Sequence, residues 1–244
     1  MDGEKGLMVR IFDRNMFIML LSIMVGVVII TYFYADLQNR MRTEQLISEH
    51  TAEIKTIESK NINFTNGFIH SLGLLDIARE YRADGNYNFD LAMIWYASAL
   101  SELNSTKLDD YKTRTIENCD SAVVNYTYSY NNFVEARNRF DLTKDFVNYD
   151  VYLNILDLYM NLTDSGSRLV TLRINASNYL KNIVENLTIV DNTVSYMTNV
   201  TGLLDLFNAT MAEYISEENV YSGIEDQIEK EYNIIGFNEI REEG

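Results

Sequence analysis

Proline is missing from all 244 residues of this chain, where ordinary usage of about 5% would supply roughly a dozen. The residue that most strongly interrupts helices and marks loops is therefore absent. Long helices with few, short connections are the implied architecture, and only eleven glycines point the same way. A single cysteine, Cys119, excludes an internal disulfide framework and leaves the fold to be held by packing. Cys119 itself reads as a small buried apolar residue, with a bridge between molecules as the lesser alternative.

Chemistry-bearing motifs are equally scarce. The two histidines, His50 and His70, are far apart in the chain, and His50 sits between Glu49 and Glu53 on a charged helix face that makes a poor metal site. There is no glycine-rich phosphate loop, no His-Glu-x-x-His and no nucleophile elbow. The chain is expected to be no enzyme and to carry no cofactor or metal. Basic residues number 20 against 36 acidic ones, a net charge of −16 that repels phosphate backbones and makes nucleic acid an unfavoured partner.

What is present begins with Met16 to Ala35, twenty residues without one charge. At about 1.5 Å per residue they cover roughly 30 Å, the hydrocarbon thickness of a bilayer, and read as one transmembrane helix. Tyr32, Phe33 and Tyr34 close the run where a signal-peptidase site would need small residues, which favours an uncleaved signal anchor with an interfacial aromatic belt. The first fifteen residues balance Asp2, Glu4 and Asp13 against Lys5, Arg10 and Arg14, so all the net charge lies beyond the span. With Arg40 and Arg42 close behind the span, positive charge favours a cytoplasmic amino terminus only slightly.

Glycosylation sequons add to that sidedness. Asn-x-Ser/Thr occurs at Asn63, Asn104, Asn125, Asn161, Asn175, Asn186, Asn199 and Asn208, always after the span. They are candidate N-glycan acceptors on a domain outside the cytoplasm.

Along the chain, Leu37, Met41, Ile47, Ile54 and Ile57 suggest a helical stalk ending at the turn-prone Asn61 to Asn66. Phe68, Leu72, Leu75, Ala78 and Tyr81, then Leu91, Ile94, Trp95, Ala99 and Leu103, predict a helical hairpin over 66–103 with its turn at Ala83 to Asn86. Asp84, Asn86, Asn88 and Asp90 imitate the first half of a calcium loop, but Phe89 stands where glycine is required and Trp95 where a bidentate glutamate should be.

Residues 107–146 form a long predicted helix on which Cys119, Tyr126, Phe133 and Phe140 stand seven apart. Tyr126, Tyr128 and Tyr130 alternate as in a strand, yet helical spacing persists on both flanks. Tyr152 to Leu162 is apolar on nearly all sides and belongs in the centre of a bundle. Thr163 to Ser167 should turn the chain. Leu169, Ala176, Ile183, Val190, Met197, Leu204 and Met211 then form a seven-residue series, with a bend expected near Asp191-Asn192 and Asn186 left exposed by a sideways shift of the seam. Val220, Ile224, Ile228, Tyr232 and Ile235 read as a short docking helix.

Two short stretches resemble known families. Tyr81, Gly85 and Tyr87, with Ala92, Tyr96, Ala99 and Leu100, resemble a tetratricopeptide repeat, which implies a peptide-binding or scaffolding surface. Its echo at Phe133, Ala136 and Phe140 lies at an irregular offset, and the closing proline is missing. Lys5-Gly6-Leu7-Met8 resembles an archaeal prepilin peptidase site with the cut after Gly6, which implies a filament subunit, although Arg10, Asp13 and Arg14 interrupt the apolar run that should follow. The acidic, asparagine-rich composition suits an archaeal surface.

The expected architecture is therefore all-α: a cytoplasmic tail (1–15), a transmembrane helix (16–35), a stalk (36–62) and an extracytoplasmic bundle of long antiparallel helices (63–244). The expected function is a single-pass membrane glycoprotein whose bundle is a protein-interaction scaffold or an accessory subunit of a membrane complex. Its partners would be the lipid bilayer, other membrane or surface proteins and a second copy of itself as a homo-oligomer. A ligand-sensing input domain working through a partner, or a pilin-like filament subunit, is the alternative.

Overall fold

The computed structural model describes residues 3–147 and 150–235; the side chains of 3–18, Leu20, Ile23 and 233–235 lie outside the described set. The described chain is almost entirely helical: α1 (Gly3–Ala99), α2 (Ser105–Thr143), a short 3-10 turn (Lys144–Phe146), α3 (Asp150–Glu185), strands β1 (Leu187–Val190) and β2 (Thr193–Tyr196), and α4 (Thr201–Ile235). It divides into two compact units, Met1–Ser59 and Lys60–Gly244.

The first unit is described by a helix whose side chains from Met19 onward are predominantly exposed. Met24, Val27, Ile30, Tyr32 and Phe33, and further on Leu37, Met41, Ile47, Ile54 and Ile57, all face outward. Among the described residues no helix is long and apolar enough to cross a membrane. The uncharged stretch falls partly outside those residues, at Met16, Phe17, Ile18, Leu20 and Ile23. The prepilin-like Lys5 to Met8 and the terminal Arg241 to Gly244 also lie outside them.

The second unit is an up-down four-helix bundle. Its geometry follows from heptads in which one position is large and its companion small. On α1 the inward positions are Phe64, Phe68, Ser71, Leu75, Ala78, Arg82, Gly85, Phe89, Ala92, Tyr96 and Ala99, at strict steps of three and four. Ser71, Ala78, Gly85, Ala92 and Ala99, seven apart, let neighbouring helices approach closely. On α2 the buried set Thr115, Cys119, Ala122, Tyr126, Ser129, Phe133, Ala136 and Phe140 repeats the same alternation. Large residues of one helix enter the gaps left by small ones on the next. Thus a Cβ added to Gly85 would lie 2.6 Å from the Tyr126 ring, and one added to Gly166 would lie 2.5 Å from the Phe133 ring. Ser129 of α2 donates to the Ala78 carbonyl of α1 at 2.7 Å, in the same close approach.

This packing corrects four expectations. The chain does not turn at Asn61 to Asn66 or at Ala83 to Asn86, because both lie inside α1. The helical hairpin over 66–103 and its tetratricopeptide-like reading therefore fail: Gly85 serves a close helix contact and not a turn. Nor does Thr163 to Ser167 turn the chain, since it lies within α3 with Thr163, Ser165 and Gly166 buried. The helix expected through Tyr126 to Tyr130, in preference to a strand, is present within α2.

The fourth correction concerns the seven-residue series from Leu169. Its members are buried through Ile183, but Val190 and Met197 are 50% and 62% exposed, because a β-hairpin replaces the expected helix. Asp191 and Asn192 take φ of 50° and 56°, and they form the two-residue turn between Val190 and Thr193. Asp and Asn tolerate that left-handed backbone, and the mirror-image turn suits the twist of the flanking β-branched strands. The hairpin caps the end of the bundle where α1 stops. Leu187 joins Ala99, Leu108 and Val184 in a small apolar cluster, Lys112 Nζ donates to the Leu187 carbonyl at 2.8 Å, and the Tyr96 and Tyr196 hydroxyls meet at 2.9 Å.

The seam of α4 is Phe207, Tyr214, Tyr221 and Ile228, again seven apart and buried; of the series expected to dock, Ile224, Ile228 and Tyr232 pack against the core as the end of this long helix, while Val220 is exposed. Antiparallel α1–α4 pairing is visible in Arg79 Nη2 donating to Glu225 Oε1 at 2.7 Å and in Phe89 stacking on Phe207.

Candidate functional site

Two features of the bundle interior depart from a plain apolar core. The first is a polar layer on α1, α3 and α4. Arg82 and Arg173 occupy inward heptad positions that apolar residues fill elsewhere. Each guanidinium lies over aromatic faces: Arg82 at 4.5 Å from the Tyr221 ring centroid, Arg173 at 4.6 Å from Phe89 and 3.9 Å from Tyr214. Such stacking offsets part of the cost of removing the cation from water.

Arg79 donates from Nε to the Tyr221 hydroxyl at 3.1 Å, and Arg82 Nη2 lies 3.8 Å from Glu218. Arg82 Nη1, Arg173 Nε and Glu218 Oε2 are buried without a hydrogen-bond partner among the described residues. Burial pushes the Tyr214 and Tyr221 hydroxyls up from their ordinary range, and for Tyr221 the neighbouring Arg79 counters part of that rise. Chemically, this layer ties α4 to α1 and α3 in one register, the best-attested use of polar groups at core positions.

The second feature is an apolar cavity of about 290 Å³ lined by Phe64, Thr65, Phe68, Ile69 and Leu72 of α1, Tyr152 and Ile155 of α3, and Tyr232 of α4. Its aromatic wall is interlocked: Phe64 stacks on Phe68 at 5.7 Å and meets Tyr152 at 5.4 Å, while Phe68 meets Tyr159 edge-on at 5.5 Å. The Tyr232 hydroxyl pairs with that of Tyr159 at 2.5 Å. A shallower groove of about 350 Å³ runs along α3, lined by Tyr130, Ser167, Arg168, Thr171, Leu172, Glu213 and Glu217. Within it Glu217 is engaged, accepting from Arg168 Nε at 3.0 Å and from the Ser165 hydroxyl.

The sequons are scattered and converge on no site. Asn63, Asn104, Asn161, Asn175, Asn199 and Asn208 are exposed, whereas Asn125 and Asn186 are half-buried. Asn186 differs from its expected exposure because it is engaged on both sides: Nδ2 donates to the Asn182 carbonyl and Oδ1 accepts from Thr198 at 2.6 Å. Asn104 caps α2 by accepting from the Lys107 amide at 3.1 Å. His50 and His70 are both exposed.

The calcium-like residues cannot converge on one ion, because Asp84, Asn86, Asn88 and Asp90 point in different directions around a continuous helix. Asn86 instead accepts from the Tyr126 hydroxyl at 2.8 Å, and Asn88 donates to the Asp84 carbonyl. Among the described residues no group of three His, Cys, Asp or Glu side chains could hold a metal ion. Cys119 is buried, and burial, reinforced by Asp120 and partly offset by Lys181, pushes its thiol up to about 12.

Sequence reasoning missed both interior features. Arg82 is placed beside a turn by the hairpin expectation, and Arg173 falls between Leu169 and Ala176 of the seven-residue series, where its charge marks it as a surface residue. No family model, curated protein or solved structure matches the chain.

Proposed function

We propose that the chain is a single-pass membrane glycoprotein, amino terminus cytoplasmic, whose extracytoplasmic helical bundle is an interaction scaffold or accessory subunit for other membrane proteins. The observation that carries this reading is a surplus of apolar helical surface. Counted back from the bundle core of α1, the same heptad register places Ile57, Ile54 and Ile47 at core positions, and these are 53%, 62% and 62% exposed. A stripe in that register is what a partner helix recognises. The uncharged Met16 to Ala35 supports the anchor, because its described side chains are predominantly exposed apolar and aromatic groups that a bilayer would cover. The exposed sequons support the outward placement of the bundle.

Purification of the full chain from native membranes in mild detergent tests the scaffold role. A stoichiometric partner protein is expected with wild type and should be lost with Ile54→Asp, which leaves the bundle untouched because Ile54 is exposed. Recovery of the chain without a partner overturns the reading. Intact-mass analysis before and after deglycosylation tests the sidedness: a mass decrease is expected, and an unmodified chain resistant to external protease in whole cells refutes it. A filament subunit would instead begin at Leu7. A ligand-sensing domain is the second reading, favoured by the preformed apolar cavity at α1, α3 and α4.

A further inference from the structure

The cavity at Phe64, Phe68, Tyr152 and Tyr232 has three properties that together select an occupant. It is about 290 Å³, close to the lower bound of ordinary small-molecule sites and about twice the ~150 Å³ apolar cavity that accepts a benzene ring. None of its eight lining residues carries a charge, in a chain whose net charge is −16. Among the described lining residues the polar side-chain groups are the hydroxyls of Thr65, Tyr152 and Tyr232.

The cavity is also built rather than collapsed. Protein interiors close such voids by side-chain rearrangement unless the walls are held. Here the walls are held by the Phe64, Phe68, Tyr152 and Tyr159 ring contacts and by the Tyr159 to Tyr232 hydroxyl pair. On α1, Thr65 and Ile69 are exposed, Ile69 at 63%, so the cavity has an open rim through which a ligand can enter. An open slot of this size with uncharged, mainly apolar and aromatic described walls suits hydrocarbon and disfavours an ion, which would forfeit hydration with no opposite charge to meet it.

We propose that this cavity binds the hydrocarbon part of a small, neutral, free single-chain amphiphile, a fatty alcohol or its equivalent, with the polar end at the Thr65 rim. The inference rests on the cavity alone and stands independently of the membrane-scaffold reading.

The test uses the full chain transferred to amphipol, so that no detergent competes. N-phenyl-1-naphthylamine, a neutral apolar fluorophore, is titrated and then displaced with 1-dodecanol. Saturable uptake of one probe per chain is expected, displaced by 1-dodecanol and at least tenfold weaker in Leu72→Trp, which fills the cavity. Should Leu72→Trp fail to fold, Thr65→Phe at the exposed rim reads the same property without disturbing the core. Tyr130→Phe, on the separate α3 groove, should leave binding unchanged. Absence of saturable uptake, or equal uptake by a folded cavity-filling variant, overturns the proposal. So does extraction of a phospholipid from the purified chain in place of a single-chain compound.

Discussion

Replacing Gly85 by alanine separates close helix packing from local propensity, because the two act in opposite directions. In an open helix interior the substitution removes glycine's backbone freedom in the unfolded chain and stabilises by about 1 kcal/mol. At Gly85 the new Cβ would stand 2.6 Å from Cδ1 and Cε1 of Tyr126 and 3.0 Å from its Cζ. The Tyr126 ring is fully buried, and its hydroxyl donates to Asn86 Oδ1 at 2.8 Å, so the ring cannot retreat without giving up that bond. Overpacking of this kind costs about 1–3 kcal/mol, which gives a net destabilisation of about 0–2 kcal/mol.

Gly73 is the internal control. It lies in the same helix, exposed, with nothing within 4 Å of an added Cβ. Gly73→Ala should therefore stabilise by about 1 kcal/mol, leaving the two variants about 1–3 kcal/mol apart. At about 2–4 °C per kcal/mol for a domain of this size, thermal melts followed by far-ultraviolet circular dichroism should separate them by about 2–12 °C. Full chains in the same amphiphile serve for both. If Gly85→Ala melts as high as Gly73→Ala, the close approach of α1 to α2 is wrong.

Further expectations follow from the buried hydroxyls and thiol. Tyr126→Phe should lower stability by about 1 kcal/mol in denaturant titration, through loss of the bond to Asn86. Cys119 should resist iodoacetamide near pH 8 in the folded chain and react after unfolding, since burial holds its thiol near 12; rapid labelling of the native protein would contradict that burial. Alkaline pH should destabilise the bundle. Burial raises Cys119, Tyr96, Tyr126 and Tyr159 above their unfolded values of 9.0 for the thiol and 10.0 for the phenols. Below pH 9 both states keep these protons and the stability is fully present; above it the unfolded state sheds protons that the folded state retains. Each such group then removes up to about 1.4 kcal/mol per pH unit, a decline that stability measurements from pH 8 to 11 would reveal.

The helical class and the α2 seam were legible from periodicity alone. Proline's absence and the seven-residue series Cys119, Tyr126, Phe133 and Phe140 report local backbone preference and one-sided burial, both of which sequence carries directly. The uncharged Met16 to Ala35 and the eight sequons belong to the same category, since they are properties of linear sequence. Tertiary packing decided which glycines turn the chain. Gly85 and Gly166 look identical to turn glycines in sequence, and only a facing Tyr126 or Phe133 ring reveals that they make room for a neighbour.

A continuous small-residue series, Ser71, Ala78, Gly85, Ala92 and Ala99, did run through the supposed turn, so part of that signal was present and unused. The hairpin at Asp191-Asn192 went the other way. Its β-branched flanks and left-handed turn prevailed over a seven-residue apolar series that extended unbroken on paper, because strand pairing needs only local complementarity while a helix seam needs a partner along its whole length. The polar layer and the apolar cavity belong wholly to tertiary structure. Arg82, Arg173, Tyr214 and Tyr221 meet from three helices, and the cavity is a gap between rings contributed by residues as distant in sequence as Phe64 and Tyr232. Sequence determines what each residue can contribute; which contributions share one volume depends on how four helices settle their mutual register.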